Sequence, residues 1–81
     1  MKIKLNPIRE NMTELEIGHW VFLFSYHTLV AYRDAPTDQC YVTNQYYSRT
    51  TTKHIYEWVA GSPATKIEQK QIDSRLEWCI K

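Results

Sequence analysis

Apolar and polar residues alternate with a period of two through the first half of the chain and with a helical period through the second, which predicts strands followed by helices. Lys2 to Leu5 alternates charge with aliphatic, Ile3 and Leu5 pointing one way, and Asn6-Pro7 then interrupts it as a turn pair. Residues 1–12 read as an N-terminal arm or edge strand. Thr13, Leu15 and Ile17 against Glu14 and Glu16 form a strand with one wet face, ended by Gly18. His19 to Tyr26 carries Trp20, Val21, Phe22, Leu23 and Phe24 with no polar partner on either face, which predicts a central strand covered on both sides. His27-Thr28 reads as a turn or bulge. Leu29–Arg33 and Gln39–Thr43 are the next strands, joined by the turn formers of Asp34 to Asp38, and Asn44-Gln45 closes the meander.

The period then changes. Thr50, Thr51 and Thr52 suit a helix N-cap, Ile55, Trp58 and Val59 form one apolar stripe, and Gly61-Ser62-Pro63 is a stop. A helix of about ten residues does not hold itself in water, so the stripe must lie on the sheet, with Trp58 as the plug of the core. Ala64 to Ile67 is a connector or short extended piece. Ile72, Leu76, Cys79 and Ile80 predict a second helix, with Trp78 off the stripe and Glu68, Asp73, Arg75 and Glu77 on its wet side. The expected fold class is α+β. A small antiparallel meander of three or four strands spans residues 13–45, with helices over 51–60 and 68–80, the first packed on one sheet face.

Composition narrows the function classes. At 81 residues the chain makes one domain. Apolar residues are 43% of it and aromatics 14%, with three Trp and six Tyr, which argues against disorder. A net charge of +1 argues against bulk-charge binding of duplex DNA and against an acidic nucleic-acid mimic. Cys40 and Cys79 lack the companions of a zinc site or a disulfide framework, so reduced thiols are expected, with one long-range disulfide still open. The first residues lack the apolar core of a signal peptide and no apolar run reaches membrane-spanning length, so a cytoplasmic protein without a membrane partner is expected.

The catalytic search is brief. Gly18 and Gly61 are the sole glycines, so no phosphate-cradling loop exists, and no Gly-x-Ser-x-Gly occurs. His19, His27 and His54 stand in no metal-ligand spacing, and Glu14 with Glu16 reads as a solvated strand face. Neither an enzyme, a metal nor a cofactor is expected. The stretch from Tyr46 to Ile55 is the one candidate surface. Tyr46, Tyr47, Arg49, Lys53 and His54, with Arg33 across the sheet, gather cations and rings at a helix N-terminus, where an anion or a partner's carboxylates can dock. The tyrosines can also stack on unpaired bases. The competing reading makes the threonines caps, the tyrosines covers for the sheet edge, and the cations solvated.

Phe24-Ser25-Tyr26-His27-Thr28-Leu29-Val30-Ala31-Tyr32-Arg33, then Tyr41-Val42-Thr43, Tyr47-Ser48-Arg49-Thr50-Thr51, and Lys53-His54-Ile55 with Trp58 form a pattern, FSYxTxVAY…YxT…YSxTTxxHIxxW. It resembles a family of short uncharacterised proteins carried by phages, archaeal viruses and other mobile elements, and covers about residues 17 to 76. Leu29 departs from it, standing where that family has Pro. The resemblance implies a small accessory protein of a mobile element that binds a host macromolecule. The expected function is therefore non-enzymatic docking to a host protein, as in an anti-CRISPR-like inhibitor of bacterial defence. The alternatives are single-stranded nucleic-acid binding and a structural homodimer or larger homo-oligomer.

Overall fold

The computed structural model describes residues 3–80. Its elements are β1 (Ile3–Arg9), β2 (Met12–Ile17), β3 (Trp20–Ser25), β4 (Thr28–Asp34), β5 (Gln39–Thr43), α1 (Arg49–Val59), β6 (Ala64–Ile67) and α2 (Gln69–Ile80). All strands join one six-stranded sheet in chain order, antiparallel from β1 to β5, with β6 parallel to β5. The α+β class with two helices holds, but three or four strands is an undercount, and the sheet is mixed.

The two strands beyond that count, read from the sequence as an arm or edge strand and as a connector or short extended piece, have a physical explanation. β1 runs through Asn6-Pro7 because an edge strand leaves one side unpaired, so the proline's missing N–H costs no ladder bond. Lys2, counted with this alternation, lies outside the described residues. β6 becomes parallel because α1 carries the chain back along β5, which lets Ala64–Ile67 start beside Cys40 and run the same way.

The helices cover opposite faces. Met12, Leu23, Val30, Ala31, Cys40, Val42 and Trp58 cluster under α1, while Ile17, Phe22, Leu29, Tyr32, Ile72 and Cys79 cluster under α2. β3 is thus covered on both sides, Leu23 facing one helix and Phe22 the other. A bulge shifts the β3–β4 register between Leu23 and Phe24, which pair with Ala31 and Leu29. The extra residue, Val30, joins Ala31 on the α1 side. The β3–β4 turn is Tyr26-His27, and Thr28 already belongs to β4, so the irregularity expected at His27-Thr28 divides between a turn before it and a bulge after it.

Cys40 and Cys79 are both buried and free, one in each cluster with the sheet between them, so this fold does not admit a disulfide joining them. Burial pushes the Cys79 thiol up, against the nearby Arg75 cation. In α2 the buried stripe is Ile72 and Cys79 with Leu76 half-buried, whereas Ile80 is 60% exposed and is no part of it. Arg75 is likewise not on a wet face: its guanidinium lies 4.8 Å from the Trp20 ring and 5.2 Å from Trp78. Glu14 corrects the expectation of a solvated carboxylate face. Its Oε2 accepts from Trp58 Nε1 at 2.6 Å beneath α1, and the carboxylate of Glu16 accepts from the Asn6 side chain. No helix among the described residues is long and apolar enough to cross a membrane.

Candidate functional site

The N-cap of α1 is Ser48, one position before the first helical residue and ahead of the threonine triplet that the sequence suggests. A cap needs extended backbone, which Ser48 has at φ −165° and ψ 165°, and its hydroxyl accepts from the Thr51 amide at 3.1 Å. Thr51, freed from capping, turns inward. The buried Ser25 Oγ stands 3.0 Å from Thr51 Oγ1 and 2.8 Å from His54 Nδ1, which ties α1 to the end of β3. His54 is only 6% exposed and packs on the Tyr26 ring at 6.0 Å, so it is a fastening of the helix to the sheet and gives no cation to the surface. Tyr26 holds this position with φ +58°, a costly conformation for an aromatic residue, fixed by its amide donating to the Asn11 carbonyl at 2.7 Å.

Ser25→Ala is expected to cost about 1–3 kcal/mol, because it leaves His54 Nδ1 and Thr51 without their buried partner. Urea unfolding measures this. A loss of a few tenths would mean that the hydroxyl knot does not fasten α1.

Arg33 also separates from the stretch. Its Nη2 donates to the Trp58 carbonyl at 2.8 Å, its Nε lies 3.5 Å from Asp38 Oδ1, and its guanidinium covers the Trp58 ring at 4.4 Å. It serves the C-terminal end of α1, about 13 Å along the helix from Arg49. Tyr47 is half-buried against the α1-side core; its phenol is pushed up by burial and, secondarily, by the Asp73 carboxylate. Of the six predicted residues, Tyr46, Arg49 and Lys53 remain exposed together at the start of α1.

Of these three, only Tyr46 lines a groove that the sequence reading missed. It measures about 310 Å³ and lies between α1 and the β5–β6 edge, with Val42, Ile55 and Val59 as its floor and Tyr46, Tyr56 and Lys66 on its walls. Tyr46 and Tyr56 are each 73% exposed. Arg49 stands on the same helical stripe as Thr52 and Tyr56. On the other sheet face a more open groove of about 600 Å³ is lined by Tyr41, Ile67, Lys70, Arg75 and Trp78 among others. No carboxylate lines either groove, and Arg49, Lys53 and Lys66 take part in none of the ion pairs among the described residues. Tyr56 could have been found from the sequence as an aromatic off the α1 stripe. Lys66 could not, because its role depends on β6 being a strand.

A family model described as a family of unknown function, DUF8033, matches residues 3–74. The chain belongs to DUF8033. No curated protein and no solved structure matches it. The match runs from β1 into α2, so the DUF8033 region includes the α1–β6 groove, the β6 edge and the lining of the second groove except Arg75 and Trp78.

Proposed function

We propose that this DUF8033 protein is a non-enzymatic accessory protein of a phage or mobile element that acts in the host cytoplasm by binding a host macromolecule. Inhibition of a bacterial defence system is its proposed use. The observation that carries the binding reading is the α1–β6 groove, an apolar floor between two exposed tyrosines with Lys66, which takes part in no ion pair among the described residues, on its wall. Exposed aromatic rings over an apolar floor are what protein interfaces favour. The mobile-element context rests on the sequence pattern through Tyr26, Tyr47 and Trp58.

A protein partner is favoured over single-stranded nucleic acid because Val42, Ile55 and Val59 give the groove an apolar floor and, among the described residues, Lys66 is the one cation in its lining, whereas a groove that tracks a nucleic-acid backbone is lined by cations. The test is capture from a bacterial lysate by the parent chain and by the double variant Arg49→Ala with Lys53→Ala. Both side chains are exposed, so the variant should melt near the parent temperature. The parent is expected to retain a stoichiometric protein that the variant loses. Material released by salt or nuclease would favour the nucleic-acid reading, and equal capture by both chains would contradict this site. Solution mass separates a homo-oligomer from both.

A further inference from the structure

β6 ends the sheet, and only the edge facing β5 is paired. The Cys40 amide donates to the Pro63 carbonyl at 2.8 Å and the Asn44 amide to the Ile67 carbonyl at 2.9 Å. In a parallel ladder the residues bonded to one neighbour alternate along the strand. Thr65 and Ile67 therefore turn their backbone groups toward β5, and Ala64 and Lys66 turn theirs outward. The side chains of Ala64 and Lys66 line the groove under α1, and that of Ile67 lines the groove under α2. A strand laid along this edge alternates its side chains between the two faces. Successive residues would enter one groove and then the other.

We infer that the β6 edge captures an extended acidic segment of a partner protein by strand addition, with apolar side chains seated alternately in the two grooves. This rests on the partner-binding reading above and specifies how the partner is held. The backbone groups of Ala64 and Lys66 supply hydrogen bonds, and the floors of the grooves supply apolar contact. Charge selects the occupant: Lys66 lines one groove and Lys70 and Arg75 the other, no Asp or Glu lines either, and Lys66 takes part in no ion pair among the described residues. Charge also opposes a second copy, since pairing β6 with β6 brings two basic edges together. The opposite edge of the sheet, β1, contains Pro7 with no N–H to offer, and its Ile3 and Leu5 stay exposed at 60% and 65% with no helix over them.

The test begins by panning a displayed library of random peptides on the folded chain. Enriched peptides should carry apolar residues at alternate positions together with Asp or Glu. Lys66→Pro removes an outward amide and spares the β5 ladder, so it should weaken them tenfold or more while melting remains cooperative. Lys66→Ala, which keeps the amide, should weaken them less. Should Lys66→Pro fail to fold, N-methylation of the peptide at alternate residues makes the same cut from the other side. Peptides that are lost on Tyr56→Ala or Arg49→Ala but are indifferent to Lys66→Pro and to N-methylation would overturn strand addition and leave the partner-binding face standing. No enrichment over a Lys66→Pro control, a dimer dissolved by Lys66→Pro, or oligonucleotide binding at this edge in place of peptide would each overturn the inference.

Discussion

Trp58→Ala is expected to remove about 3–5 kcal/mol, a large part of the roughly 5–15 kcal/mol that holds a domain together. The indole is 7% exposed and packs on Met12, Leu23, Val30 and Val42, so its loss opens a cavity over the middle of the sheet. It also strips the Arg33 guanidinium of the ring beneath it and Glu14 of its buried donor. Trp58→Phe separates these losses. It keeps a ring for packing but removes the N–H, and should cost about 1–3 kcal/mol through the unpaired carboxylate. Chemical denaturation reads both. A cooperative Trp58→Ala chain of near-parental stability would contradict the packing of α1 on this face.

Ile72→Ala is the matching experiment on the other face, with an expected cost of about 2–5 kcal/mol. Ile72 is fully buried among Ile17, Phe22, Leu29 and Tyr32, and is the central apolar anchor of α2. Cysteine labelling gives the face-specific readout. Cys79 sits in the α2-side cluster and Cys40 in the α1-side cluster, each at most 6% exposed. In Ile72→Ala the Cys79 thiol should react faster while Cys40 stays protected; in Trp58→Ala the order should reverse. Equal acceleration of both thiols in both variants would mean that the two layers do not respond separately.

The legible parts of the fold were those carried by local pattern. The run from Trp20 to Ser25 announced a doubly covered strand, and the Ile55, Trp58, Val59 spacing announced the α1 stripe, because each depends on residues close in sequence. β1 and β6 depended on partners far away. Pro7 reads as a strand breaker until the sheet makes it an edge residue, and Ala64–Ile67 is too short and too exposed to declare itself without β5 beside it. The same limit divided the candidate surface. His54 and Arg33 look like free cations in sequence, but the fold gives one a buried hydroxyl and the other a helix carbonyl and an indole ring. Tyr46, Arg49 and Lys53 kept their exposure, and the groove that Tyr46 lines came from residues of β5, α1 and β6 that only the tertiary fold brings together.

Amide hydrogen exchange along β6 in the free chain tests the docking account most directly. Thr65 and Ile67 should be protected by the ladder to β5, whereas Ala64 and Lys66 should exchange rapidly with their amides open to solvent. Uniformly fast exchange would mean that β6 is not a strand. Protection of Ala64 and Lys66 in the absence of any partner would mean that the edge is already covered and cannot receive one.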